Sequence, residues 1–116
     1  MKNRSHYAIT KKWLYRQVYS SGSKTVTEYC IVYIRKNDLP EGITRCGFTV
    51  TKKVGSAVIR NKMKRRMRDI FFRLYGNIRL GYDMVIVAKP VIVNASFQKL
   101  SEDIYHGLAV NDMLDS

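Results

Sequence analysis

Between Ser56 and the Gly76-Asn77 pair, six apolar side chains recur at spacings of 4, 4, 3, 1 and 3: Ile59, Met63, Met67, Ile70, Phe71 and Leu74. On an α-helix they form one stripe about 120° wide, so this segment must lay one face on a core. Strand patterns flank it. In residues 28–35, Tyr29, Ile31 and Tyr33 alternate with Cys30, Val32 and Ile34. In residues 44–51, Cys46, Phe48 and Val50 alternate with Arg45, Gly47, Thr49 and Thr51. Both are rich in β-branched and aromatic residues at period two. The turn-forming stretch 37–42 between them suggests a hairpin. A third strand is expected at 82–88, stopped by Pro90, and a short one is possible at 24–26. Leu14 and Val18, with Trp13 and Ile9 on the same side, mark a helix over 11–20, closed by turn chemistry and a C-cap glycine at Gly22. Phe97, Leu100, Ile104 and Leu108, with Val110, mark another within 94–113.

The order helix, strands, helix, strand, helix predicts an α+β fold, a two-layer α/β sandwich with helices on one sheet. About 30 residues with a helix separate the strands at 44–51 and 82–88, which suits a parallel crossover. The general rule makes such a crossover right-handed. The length of 116 residues fits one domain, 1–116, with residues 1–8 as a flexible basic arm. Neither a signal-peptide core nor a stretch long enough to span a bilayer is evident, so a cytoplasmic protein is expected.

Charge narrows the function. Residues 1–89 carry 20 basic and 5 acidic side chains, whereas residues 90–116 carry one basic and four acidic ones. Nine of the cations fall between Lys52 and Arg73, with Asp69 the one acid among them. A solvated helix face ordinarily mixes signs. Here Arg60–Lys64, Lys62–Arg66, Lys64–Arg68, Lys62–Arg65 and Arg65–Arg68 are like-charged neighbours, which together cost about 1–2.5 kcal/mol. Asp69 offsets part of this through Arg65, Arg66 and Arg73. Lys52, Lys53 and Arg60 also crowd the positive end of the helix, where acids are favoured. Phosphates would relieve both penalties, so the helix is read as a nucleic-acid contact.

Tyr15 and Tyr19, four apart, share a helix face, and Tyr29 and Tyr33 share a strand face. Tyrosines beside a basic surface suit single-stranded RNA, whose bases stack on them. Half-buried structural tyrosine is an equally good account of composition alone. Cys30 and Cys46 lack a companion CxxC or histidine pair and read as reduced core thiols rather than zinc ligands. His6 and His106 neighbour no nucleophile motif, and the acids are too sparse for a two-metal nuclease cluster. No catalytic residue and no metal ligand are assigned to the chain.

The run Lys52-Lys53-Val54-Gly55-Ser56, continuing to Arg60-Asn61-Lys62-Met63-Lys64-Arg65, resembles the arginine–asparagine–arginine signature of the bacterial ribonuclease P protein family. Similar stretches are Tyr15-x-x-Val18-Tyr19, Tyr33, the residues from Arg45 to Lys53, and Gly81-Tyr82-Asp83. The likeness extends over residues 9–113. It implies an α/β sandwich like a domain of small-subunit ribosomal proteins and translation factors, with a left-handed crossover. It implies that Lys52, Lys53, Arg60, Asn61, Lys62, Lys64, Arg65 and Arg68 contact the catalytic RNA. It further implies that Tyr15, Tyr19, Tyr33, Thr49 and Arg60 line a cleft for the single-stranded 5′ leader of precursor tRNA. Catalysis would belong to the RNA, which also binds most of the Mg²⁺. The protein would assist substrate affinity and Mg²⁺ use without an obligate protein partner. Lys62 stands where arginine is typical, Ser56 where asparagine is common, and Tyr15 and Tyr19 where phenylalanine is common. Three other classes remain as alternatives: a ribosomal-type structural RNA binder, a self-sufficient nuclease and a DNA-binding protein.

Overall fold

The apolar run at residues 84–88 occupies the middle of the sheet. In the structure, a computed structural model that describes residues 4–115, the strands are β1 (Ser23–Val26), β2 (Cys30–Lys36), β3 (Arg45–Thr49) and β4 (Tyr82–Ala88). Their spatial order is β1-β2-β4-β3. β4 runs antiparallel to β2, with Ile31 opposite Val87 and Tyr33 opposite Val85. It runs parallel to β3, with Gly47 beside Val85 and Thr49 beside Val87. The parallel crossover and the short first strand expected from the sequence are therefore present. The expected hairpin between 28–35 and 44–51 is not: β4 lies between the two strands. The reason is burial. β4 is apolar on both faces, and a central strand with helices over each face keeps both from water. β3, with Arg45, Gly47 and Thr49 along one face, suits an edge.

Three helices cover the sheet: α1 (Lys12–Ser21), α2 (Ala57–Leu74) and α3 (Phe97–Val110). The mixed α+β sandwich is as expected, with the helices divided between the faces. Cys30, Val32, Ile34, Cys46, Met84, Ile86 and Ala88 meet Met63, Met67, Ile70 and Phe71 of α2 and Leu100, Ile104 and Leu108 of α3 in the main core. On the other face Val85 packs under Leu14 and Val18 of α1, with Ile9, Tyr15, Tyr33 and Val87 around them. α2 and α3 start on serine caps: the hydroxyls of Ser56 and Ser96 accept from the amides of Ile59 and Lys99, as isolated helix N-termini require. Val110 ends α3 exposed rather than inward. Gly22 caps α1 by donating to the Val18 carbonyl at 2.9 Å. A Cβ there would sit 2.5 Å from that carbonyl oxygen and 2.9 Å from that of Ile34. The glycine permits close approach of helix end and β2, not a left-handed turn.

Two local expectations are corrected. Residues 4–8 are not a free arm; residues 1–3 lie outside the described part. Arg4–Tyr7 form a 3-10 turn, and Tyr7 is buried with its ring edge-on to Phe72 and Tyr75. Ala8 bridges to Cys46 in parallel fashion, and Ile9 N donates to the Cys46 carbonyl at 3.2 Å. The segment thus covers the free edge of β3. Tyr29 does not share a face with Tyr33. It precedes β2 in a loop held by Asp103 of α3, which accepts from Thr27 Oγ1 (2.6 Å), Glu28 N (3.0 Å) and Tyr29 N (2.9 Å), and its ring joins the main core.

Cys30 and Cys46 are free buried thiols. Burial pushes the Cys30 thiol up to about 12 and that of Cys46 well above the ordinary range, so both are protonated and inert at neutral pH.

At the start of β4, Asp83 is 1 % exposed. It accepts a two-pronged ion pair from Arg45 Nε (2.9 Å) and Nη2 (2.8 Å), and a hydrogen bond from Asn37 Nδ2 (3.0 Å). Asn37 Nδ2 also donates to the Ile43 carbonyl, and Leu39 N donates to Asn37 Oδ1. One carboxylate thus ties the end of β2, the start of β3 and the loop between them to β4. Asp83→Ala is expected to lose about 3–5 kcal/mol, since it strands the partly buried Arg45. Arg45→Met combined with Asp83→Leu is expected to recover most of that loss. Urea unfolding followed by circular dichroism measures both.

Candidate nucleic-acid interface

β3 is the edge strand around which the basic helix and the tyrosines meet. On the α2 side, Lys52 and Lys53 stand exposed in the turn before the helix, followed by exposed Asn61, Lys62, Arg65 and Arg68 and half-buried Arg60, Lys64 and Arg66. The stripe Met63, Met67, Ile70 and Phe71 is driven into the core, which turns these cations outward at helical period. The acid next to them is taken. Asp69 pairs with Arg4 of the N-terminal turn at 2.9 Å, not with Arg65, Arg66 or Arg73 as the sequence spacing suggested. Arg73 lies over the Phe97 ring at 4.9 Å. Among the described residues no acidic partner pairs with Arg60, Lys62, Lys64, Arg65, Arg66 or Arg68. Their repulsion persists within the folded protein alone.

On the α1 side, Tyr15 and Tyr19 project from one helix flank with ring centroids 6.3 Å apart. Tyr19 meets Tyr33 of β2 edge to face at 4.9 Å, and its hydroxyl hydrogen-bonds the Thr49 hydroxyl of β3 at 2.9 Å. The structure therefore brings Tyr15, Tyr19, Tyr33 and Thr49 into one constellation, although they come from three elements. Arg60 stands apart from it in hydrogen bonding: its Nε donates to the Gly55 carbonyl at 3.2 Å, which fixes the side chain against the loop at the start of α2.

Tyr15 lies directly on the β3 backbone. A Cβ at Gly47 would fall 2.5 Å from the Tyr15 hydroxyl oxygen and 2.6 Å from Cζ. Only glycine lets the ring lie there. Burial, then the neighbouring Cys46, pushes the Tyr15 hydroxyl above its usual range, so it stays a neutral hydrogen-bond donor at physiological pH. Next to it opens a cavity of about 400 Å³. Tyr15 and Gly47 form one wall, Lys64 and Arg68 of α2 another, and Arg4, Tyr7 and Phe72 the end. Arg4 sits 4.8 Å over the Phe72 ring. Lys64 and Arg68 from α2 and the Tyr15 ring from α1 thus share one concave surface, the combination that suits a single strand of nucleic acid; Tyr19, Tyr33 and Thr49 stand outside its lining. The sequence reading missed the contribution of Arg4, Tyr7 and Phe72. The alternation of Tyr7 and Ile9 was the signal, but two residues are too few to declare a strand.

Asp83 is consumed by Arg45, Asp69 by Arg4 and Asp103 by the 27–29 loop. Among the described residues no three His, Cys, Asp or Glu side chains gather to hold a metal ion. No helix among them is long and apolar enough to cross a membrane.

Comparison with known proteins agrees with this geometry. A family model described as ribonuclease P matches residues 4–110. The ribonuclease P protein component of Caldanaerobacter subterraneus subsp. tengcongensis is 38 % identical over 96 residues, 83 % of this chain and 81 % of the relative. That of Carboxydothermus hydrogenoformans is 32 % identical over 84 % of each. Among solved structures, the RNase P protein of Staphylococcus aureus superimposes with a TM-score of 0.85 at 27 % identity, over 94 % of this chain and 98 % of that one. The RNase P protein of Thermotoga maritima gives 0.73 at 30 % identity, over 84 % and 89 %. With nearly its whole length matched in sequence and in fold, the chain belongs to the ribonuclease P protein family.

Proposed function

We propose that this protein is the RNA-binding subunit of a ribonucleoprotein endoribonuclease that removes the 5′ leader of precursor tRNA, with the chemistry performed by the RNA. The observation that carries this reading is the shared surface at the β3 edge, where Lys64 and Arg68 of α2 adjoin Tyr15 of α1, whose ring neighbours Tyr19 and through it Tyr33. Lys52, Lys53, Asn61, Lys62, Lys64, Arg65 and Arg68 grip the phosphates of the catalytic RNA, and Arg60 serves at the start of the same helix. Tyr15, Tyr19, Tyr33 and Thr49 receive the single-stranded leader, the rings stacking on bases and the hydroxyls meeting polar edges.

The contribution to catalysis is indirect. Leader binding holds the substrate through nucleotides remote from the scissile bond, and helps position that bond at the RNA's reacting centre. The cations of the protein offset repulsion between two polyanions, a task that Mg²⁺ would otherwise perform at higher concentration. The Mg²⁺ ions of the reaction are held mainly by the RNA. Lys62 supplies charge without the two-pronged fork of arginine, so it contributes as a point charge.

The direct test is cleavage of a precursor tRNA by a bacterial ribonuclease P RNA at low Mg²⁺, with and without the protein. Strong stimulation is expected, with the protein inert alone; tight RNA binding without stimulation would favour a ribosomal-type binder. Arg65→Ala and Arg68→Ala are each expected to weaken affinity for the catalytic RNA and to reduce the slope of log affinity against log salt by about one. Filter binding across a salt series measures this, and unchanged slopes would remove α2 as the RNA face. Tyr15→Ala and Gly47→Val, the second by displacing the Tyr15 ring, are expected to weaken precursor tRNA binding about fivefold or more and to leave mature tRNA binding unchanged. Equal losses for both ligands would remove the leader cleft.

A further inference from the structure

Trp13 is the one tryptophan of the chain, and it plays no part in the core. It is 58 % exposed on α1, about 100–140° around the helix from the buried Leu14 and Val18 and about 120–160° from Tyr15 and Tyr19 at 100° per residue. An indole left in water on a rigid helix forgoes the burial that usually places it. Its surroundings are cationic. Lys11, Lys12 and Arg16 are exposed on the same helix. Lys12 and Arg16 lie on the helical wheel between the tyrosine flank and Trp13. On the far side, Gln17 Oε1 accepts from Arg35 Nη1 of β2 at 3.1 Å, which fixes another guanidinium beside the helix. Residues 1–27 contain six lysines and arginines and no acid. The exposed aromatic of α3 provides a contrast: Tyr105 follows Glu102 and Asp103, an arrangement that would repel a phosphate chain. α1 also opens on Lys11 and Lys12 without a side-chain cap, a placement that the helix dipole disfavours and that nearby anions would relieve.

An aromatic face with cations on both sides, separated from the tyrosine flank by the exposed outer ridge of Lys12 and Arg16, fits single-stranded RNA. We propose that the outward face of α1 is a second contact for the leader, in which Trp13 stacks on a base after the strand leaves the tyrosine cleft and Lys12 and Arg16 hold the phosphates between. This rests on the reading of the cleft as the leader site. The face extends the length of leader that the protein senses: a short leader fills the tyrosine cleft, and a longer one reaches Trp13.

The single indole is its own reporter. In the holoenzyme assembled with ribonuclease P RNA, addition of precursor tRNA with a leader of about twelve nucleotides is expected to quench Trp13 fluorescence, whereas a leader of about four is expected to leave it unchanged. Trp13→Ala is expected to weaken affinity for the long-leader precursor by roughly 5- to 100-fold, without affecting the short-leader one. Trp13→Tyr, which keeps a stacking face, is expected to restore most of the difference. Thermal unfolding of Trp13→Ala should match that of the parent, because the side chain supports no core contact. A saturated long-leader complex with unchanged fluorescence, or equal losses at both leader lengths, would overturn the proposal. So would quenching complete on binding the catalytic RNA alone, which would assign Trp13 to that RNA. Tyr15→Ala separates the two readings. If it weakens both precursors while Trp13→Ala weakens neither, the cleft stands and the α1 face does not. If it weakens neither, the cleft itself is wrong.

Discussion

β4 must be buried on both faces, and the rest of the molecule is arranged around that requirement. A strand with Met84, Ile86 and Ala88 on one side and Val85 and Val87 on the other needs a neighbour along each edge and a helical layer over each face. β2 and β3 supply the edges, α2 with α3 one layer, and α1 the other. Near its start stands Asp83, whose carboxylate is satisfied by Arg45 and Asn37. The polar cost of starting a strand in the interior is thereby met with groups from both neighbours. The functional surface follows from the same arrangement. Because β3 is displaced to the edge, the face of α2 and the flank of α1 can reach the same concave region around it.

The electrostatics have a corresponding logic. α2 places its cations at spacings that a free helix would resist, and the fold removes the one acid that could soften them by committing Asp69 to Arg4. Burial of Met67, Ile70 and Phe71 holds the helix together despite its charge. The protein therefore keeps a concentrated positive field at a fixed geometry, and the partner that neutralises it must be an extended polyanion.

The parts of this arrangement legible in the sequence are those with a period. The α2 stripe, the alternation in β2 and β3 and the amphipathic last helix each repeat often enough to be read. So does the run of cations, and Lys52 to Arg65 is specific enough to point to a family. What could not be read are pairings at long range. The exchange of the expected hairpin for a central β4 depends on comparing the burial of three strands at once. The capture of Asp69 by Arg4 and the docking of Tyr7 involve single residues some 65 positions apart, which no local pattern encodes. Tyr29 leaves the face that alternation with Tyr33 predicts because its loop is shaped by Asp103, a residue 74 positions later.

The insertion of β4 between β2 and β3 has a consequence for how the chain assembles as it is made. β2 leaves the ribosome early, yet of its two neighbours only β1 precedes it, and β3 cannot serve as a substitute. Until residue 88 has emerged, the sheet can be no more than the β1–β2 hairpin, with β3 lacking any strand partner. The N-terminal turn waits as well, because Phe72 and Tyr75, on which Tyr7 rests, are made about 3–14 s after it at ordinary rates of synthesis. Tyr7 is therefore made well before the residues on which it docks. The cation run from Lys52 to Arg73 is likewise complete before β4, so it exists briefly without the finished sheet that mounts it.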